Sequence, residues 1–300
     1  MFRQANEVII RSGRDMLTST AIIKLSNVKT FIGSPNELDR AFSVGDEVSI
    51  ELGYDGANNL EFVGYVAEKR PNVPYEIHCE DSMWKLKQKR ISGNYPSIKL
   101  SSLIKALVPE SNVDNILDVT LTNFRINNAT VSQVLNQIKT TYGLDIYFRG
   151  KTLYCGLAYM EGGKTIKYHL QDNTIKNSLV FQQPGDFKIR VRAISLNSDN
   201  TSIETELGDA DGNFTTLHFS NLSLDALKTA AGEKVKELKI RGYKGSVVAW
   251  GRPFAQHGDV AKFIDRFYPE RQQSNFIDQV TVEWGAKGFR RTIVPGRRAS

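Results

Sequence analysis

The sequence predicts a mainly β protein with an α+β insert: two small antiparallel β-barrels and an intermediate α/β domain. Three observations carry that expectation. Short runs that alternate apolar and polar residues, each bounded by turn residues, fill both ends of the chain. A run with helical spacing and a capping pattern occupies the middle. A length of 300 residues, 40% hydrophobic and 24% charged, exceeds what one core of roughly 100 to 200 residues needs. The expected division is 1–92 for the first barrel, 93–163 for the α/β domain, and 164–300 for the second barrel with an inserted helix at 223–240.

In chain order, "TAIIKLSN" and "VKTFIG" read as strands. "DEVSIEL" alternates, with Val48 and Ile50 on one face, and "GYDGANN" supplies turn residues before "LEFVGYV", which makes a hairpin. "YEIHCED" puts Tyr75, Ile77 and Cys79 on one face; "DSMWKLK" then opens a short helix that Asp81 or Ser82 can cap. Leu100, Leu103, Ile104 and Leu107 recur at helical spacing until Pro109 ends the run. In "NNATVSQVLNQIKTTYGLDIYFRGKTLYCGL", Thr130 and Gln133 form a capping box. Val131, Val134, Leu135, Ile138 and Tyr142 line one stripe, and Gly143 stands where a left-handed C-cap belongs. "LDIYF" and "TLYCGL" follow as a hairpin. Strands return with "KTIKYHL", "SLVFQ", "FKIRVRAISL", "SIETEL" and "TTLHFS". The helix "SLDALKTAAGEKVKELKI" then carries Leu224, Leu227, Ala231, Val235 and Leu238 on one stripe, before "GSVVAWG", "DVAKFI" and "DQVTVEW".

Composition narrows the function classes. Lys and Arg total 39 against 33 Asp and Glu, mostly interleaved as on a solvated surface, so charge alone does not indicate nucleic-acid recognition. No apolar run approaches the roughly 18 residues that cross a bilayer, and the first fifteen residues hold charges and no signal-like core, so membrane insertion is not expected. Cys79 and Cys155 are too few for a disulfide framework and read as reduced, buried thiols.

No catalytic, cofactor or metal residue emerges. His78, His169, His218 and His257 are far apart, and His78 and Cys79 face opposite sides of one strand. "DADGN" imitates a calcium loop with Asp209, Asp211 and Asn213, but Phe214 and Ser220 stand where Gly and Glu are required, so it reads as a hairpin turn. Ser246 in "YKGSVV" lacks the second glycine of a nucleophile elbow. Glu80 and Asp81 are adjacent, which does not converge two carboxylates on one substrate.

The succession "VGDEVSIELGY", "LEFVGYV", "YEIHCEDSMWKLK", then "TVSQVLNQIKTTYGLDIYF", then "HGDVAKFID" with "VTVEWGAKGFRRTIVPG" resembles the tail (baseplate) hub proteins of contractile-tailed phages. These are the late control protein D family, akin to the hub part of type VI secretion spike proteins. The resemblance spans most of the chain. It implies two like barrels per chain in a homotrimer, six similar units that join a sixfold tail tube to a threefold central spike. The implied partners are the spike protein and the tube or other baseplate proteins, with DNA only as passing cargo. The implied place is the virion tail baseplate, assembled in the host cytoplasm. The segments that would form a spike or a lysozyme-like domain have no counterpart in these residues, so the resemblance puts them on separate chains. "VGDEVSI" at 44–50 and "HGDVAKF" at 257–263 agree as corners of duplicated barrels would.

Two other readings compete. A cell-wall-degrading enzyme would need converging acids, with Glu80, Asp81 and Glu283 as candidates. A carbohydrate- or nucleic-acid-binding barrel module would use Tyr54, Tyr65 and Tyr147 as stacking platforms. The end, "GFRRTIVPGRRAS", holds Arg290, Arg291, Arg297 and Arg298 with no acid among them. Alternation places Arg290 and Arg291 on opposite faces of a strand. This terminus can face water, an acidic partner chain or a DNA-conducting lumen; the expected contact is a neighbouring subunit or the spike.

Overall fold

A computed structural model describes residues 5–26, 39–114, 119–157, 159, 163–182, 188–196, 201–220, 222–238 and 242–299. The chain opens with β1 (Glu7–Gly13), β2 (Thr20–Leu25), β3 (Glu47–Tyr54), β4 (Ala57–Arg70) and β5 (Tyr75–Glu80). Next come α1 (Met83–Gln88), β6 (Arg90–Lys99), α2 (Leu100–Leu107), β7 (Asn112–Asp114), β8 (Thr120–Thr130), α3 (Val131–Tyr142), β9 (Asp145–Arg149) and β10 (Thr152–Gly156). After β11 (Thr165–His169), β12 (Thr174–Asn177) and β13 (Val180–Gln182) come β14 (Ile189–Leu196), β15 (Ser202–Gly208), β16 (Asn213–Ser220) and α4 (Leu224–Leu238). The chain closes with β17 (Gly242–Lys244), β18 (Val247–Trp250), β19 (Val260–Ile264), β20 (Gln273–Gly285) and β21 (Arg290–Arg298). The result is a mainly β protein with a small α-containing insert. The run "VKTFIG" lies outside the described residues.

The principal sheet runs β12-β18-β21-β20-β1-β2-β5-β4-β3, with β19 paired to β20 and β11 parallel to β19. It contains one five-strand unit twice: β1-β2-β5-β4-β3 and β12-β18-β21-β20-β19. The corner before β3 and the corner before β19 match bond for bond. Gly45 (φ +95°) donates to the Val66 carbonyl at 2.8 Å, and Gly258 (φ +86°) donates to the Ile277 carbonyl at 2.8 Å. The Asp46 carboxylate accepts the Ser43 N–H at 2.7 Å and the Asp259 carboxylate accepts the Gln256 N–H at 2.9 Å. Val66 and Ile277 then donate to the carbonyls of those same two aspartates. Glycine is needed because an L side chain resists this φ; aspartate is needed because its short carboxylate reaches back to an amide three residues earlier.

Registers agree as well. Glu47 faces Tyr65 as Val260 faces Phe276, and the bulge between Val66 and Glu68 recurs between Ile277 and Gln279. The units join through β1 and β20, antiparallel from Glu7 opposite Gly285 to Gly13 opposite Gln279. One apolar cluster runs through both, with Ile10, Val66, Ile77 and Cys79 from the first and Phe263, Ile277 and Ile293 from the second. Both cysteines are free and buried.

The middle of the chain owns a second cluster, in which Leu100, Leu103, Ile104 and Leu107 of α2 meet Val131, Val134, Leu135 and Ile138 of α3 and Ile146, Phe148, Leu153 and Cys155 of β9 and β10. The capping box at Thr130 and Gln133 is formed, and Gly143 ends α3 at φ +65°. Tyr142 departs from the expected stripe: at the last helical position it is turned outward, 40% exposed. The β6–β8 ribbon was not expected from sequence; its strands pair antiparallel from Arg90 opposite Thr130 to Lys99 opposite Thr120.

A third small core lies in the insert, where α4 covers one face of the sheet β15-β14-β16 through Leu227 and Ala231 against Val191 and Ala193. Leu224, expected on that stripe, is 42% exposed in the first turn of α4. The "DADGN" segment is a crossing loop rather than a hairpin turn. β15 is antiparallel to β14 on one side and β16 parallel to it on the other, so residues 209–212 pass over the end of β14. The Ile189 N–H donates to Asp209 there at 3.0 Å, which fixes the crossing.

The face assignment of α3 is testable. Leu135→Ala should cost about 2–5 kcal/mol because it empties a fully buried site, whereas Tyr142→Ala should stay within about 0.5 kcal/mol as a surface change. Chemical denaturation of the two variants checks the difference.

Candidate functional site

Polar chemistry concentrates in two places: the seam between the five-strand units and the joint between the sheet and the middle span. At the seam, β21 turns Arg291 inward while its neighbour Arg290 faces outward, as the alternation predicts. Arg291 is fully buried and donates to the Glu61 carboxylate at 2.6 Å, to the Ala255 carbonyl at 2.9 Å and to the Gly251 carbonyl. Glu61 belongs to β4, so the pair ties the second unit to the first. Burial pushes the Glu61 carboxyl up, and the Arg291 charge opposes that shift. The expectation that Arg291 contacts another subunit or a spike is therefore corrected: its guanidinium is spent inside the fold. Arg290 lies over the exposed Trp250 ring at 4.8 Å, while Arg297 and Arg298 stay at the surface.

At the joint, Arg14 follows β1 and pairs with Asp145 of β9 at 2.8 Å and with Asp278 of β20 at 3.5 Å, its guanidinium 3.6 Å above the Tyr159 ring. Lys139 of α3 donates to the Arg14 carbonyl at 2.8 Å. Burial raises the Asp278 carboxyl to about 6, against the pull of Arg14. Beside it, Arg149 donates to the His257 carbonyl, and the His257 ring stands edge-on to Tyr147 at 4.6 Å. Burial, with Arg149 and Arg14 nearby, pushes the His257 imidazole down to about 3, so it is neutral.

The acids considered for hydrolysis have other work. Asp81 is buried, accepts the Ser19 N–H at 2.6 Å and the Met83 N–H at 2.9 Å, and so caps α1 and anchors the β1–β2 connection. Burial lifts its carboxyl to about 7. Glu80 pairs with Lys87 at 2.7 Å, and Glu283 sits opposite Arg290 across the β20–β21 pair. The tyrosines offered as stacking platforms are packed: Tyr65 against Trp84, Tyr147 against Tyr154, and Tyr54 against Phe289. Among the described residues, no group of three or more His, Cys, Asp or Glu is placed to hold a metal ion, and no helix is long and apolar enough to cross a membrane.

Comparison with solved structures identifies the architecture. A tail protein from Neisseria meningitidis MC58 superposes with a TM-score of 0.71 at 15% identity, over 99% of this chain and 93% of that one. The 43 kDa tail protein of prophage MuSo2 from Shewanella oneidensis gives 0.69 at 12% identity, over 99% and 94%. The fold is that of these phage tail proteins. The E. coli c3393 protein, described as a component of the type VI secretion system with similarity to T4 bacteriophage tail proteins gp27 and gp5, gives 0.61 at 10% identity, over 99% of this chain and 76% of that one. No family model and no curated protein matches the sequence. In this tail-protein fold the buried charges are fasteners between parts of one chain, which is why composition and motif did not reveal them.

Two outcomes check this account. Glu61→Ala should destabilise by about 3–5 kcal/mol because it strands the Arg291 charge, and replacing both residues by apolar ones of similar volume should recover most of that loss. Asp81 has a folded pKa raised above its unfolded one, so its protonation favours folding below about 4 and that contribution is lost as pH rises through about 7. Denaturation from pH 4 to 8 should then show wild type losing stability relative to Asp81→Asn across that window, with the gap constant above it.

Proposed function

We propose that the chain is the structural hub of a phage or phage-like tail baseplate, a homotrimeric adaptor between a sixfold tail tube and a threefold central spike. The observation that carries the reading is the duplicated five-strand unit within a tail-protein fold. Three chains with two like units each present six similar surfaces to one neighbour and three to another. Tail-protein structures that match nearly the whole chain support the setting. The division at 1–92, 93–163 and 164–300 belongs to the same proposal: each outer span carries one copy of the unit and the middle span carries its own core. On this reading the chain is not an enzyme and needs no cofactor. Its partners are the spike, the tube and other baseplate proteins, and DNA passes as cargo. Arg290, Arg297 and Arg298 remain the residues assigned to a neighbouring subunit or the spike, a contact that carries charge but no sequence readout.

Light scattering after size exclusion tests the assembly. The expected species is three chains of 33.7 kDa, alone or on addition of the spike chain. A monomer under both conditions overturns the hub reading. Arg297→Gln combined with Arg298→Gln, both exposed on β21, should leave melting nearly unchanged and weaken co-purification with the spike in a salt-dependent way; equal recovery at low and high salt leaves these arginines to solvent.

A further inference from the structure

A cavity of about 50 Å³ lies where three parts of the chain meet. From the first five-strand unit it is lined by Ser19 of the β1–β2 connection, Glu61 of β4 and Asp81, the acid that caps α1. The middle span contributes Arg149 at the end of β9, and the second unit contributes Gln256 and His257 from the corner before β19.

His257 carries the argument. The residue is 4% exposed, and neither ring nitrogen has a hydrogen-bond partner among the described residues. Its contacts are of other kinds: the backbone carbonyl accepts from Arg149, and the ring meets Tyr147 edge to face. The imidazole is neutral, so one nitrogen is a donor and the other an acceptor. Leaving either bare in the interior carries the cost of its desolvation, and native proteins pair such groups with protein or with ordered water. The carboxylates of the same wall are only partly committed. Asp81 accepts the Ser19 and Met83 amides, one on each oxygen, and Glu61 accepts Arg291 on Oε1. A carboxylate has about four acceptor sites, so both keep capacity for a further donor.

Size and charge select the occupant. One water needs roughly 10–15 Å³ of such space, which gives this cavity room for about two. Apolar cavities stay dry, but this wall offers carboxylates, a hydroxyl, an amide and an imidazole, the kind of polar partners that hold a buried water. Charges of both signs line it, Glu61 and Asp81 against Arg149, so a bare ion of either sign meets repulsion. Water donates to one group and accepts from the next.

We propose that this cavity binds a cluster of about two ordered waters, which bridge His257 to the carboxylates of Asp81 and Glu61 and so join the three parts of the chain. The site lies within one chain and does not depend on assembly into a trimer.

A crystal structure of the full chain, at a resolution that shows ordered water, tests it. The expected result is water density in the cavity, with a peak within about 2.7–3.2 Å of each ring nitrogen of His257. Oxygen-17 relaxation dispersion in solution counts the long-lived internal waters. His257→Phe, which keeps an aromatic ring and removes both nitrogens, should lower that count by about one to two waters. His169→Phe, at a half-exposed site on β11, should leave it unchanged. The proposal fails if the cavity shows no density, if both ring nitrogens bond protein groups directly, or if wild type and His257→Phe give the same count. It also fails if a peak carries more electrons than water or an anomalous signal, which would assign the site to an ion. Should His257→Phe not fold, the wild-type crystal structure decides alone.

Discussion

The ion pair between Arg291 and Glu61 holds the architecture in its register. Both side chains are almost wholly removed from water, with 1% and 2% of their surfaces exposed, so neither charge tolerates loss of the other. Arg291 reaches Glu61 only if β21 keeps its alternation, β20 keeps its bulge and β4 lies at the proper height beside the seam. A slip of one residue in β21 would turn Arg291 to water and Arg290 into the core. The pair thus contributes specificity of arrangement beyond whatever net stability it adds.

Comparison of the two units shows how this arose in physical terms. Matched registers place Arg291 where the first unit has Tyr75, since each lies two residues before the isoleucine at the corresponding sheet position, Ile293 and Ile77. Tyr75 donates to Asp39 within its own unit at 3.0 Å, whereas Arg291 crosses to the other unit. The bulge position tells the same story. Ala67 in the first unit is inert, while Asp278 in the second reaches Arg14 and, through it, Asp145 of the middle span. Equivalent backbone slots therefore carry either local contacts or joints between parts, and the side chain alone decides which.

The same comparison explains what could be read from sequence. Alternation in "DEVSIEL" and "YEIHCED", the Asp55–Gly56 turn and the Thr130–Gln133 box are local signals, and each appears in the structure because local geometry and tertiary burial agree there. The corner pair at Gly45 and Gly258 was visible only as two agreeing heptapeptides. The bonds that make them equivalent, to Val66 and Ile277, come from residues about twenty positions later. The β6–β8 ribbon escaped because Arg90–Lys99 mixes Gly, Pro, Ser and Asn with few apolar residues and Asn123 interrupts the alternation of β8 at φ +52°. The role of Arg291 escaped because an arginine in an alternating run reads as surface, and only the third dimension supplies Glu61.

Charge placement completes the argument. Where the fold must stay in one arrangement, cations are buried against acids, as at Arg291 and Arg14. Where a sheet merely faces solvent, they are neutralised across the strand, as at Arg190 and Arg192. On the β6–β8 ribbon, Arg90 donates to the Asn128 carbonyl at 2.8 Å, and the apolar residues are committed to the core beneath.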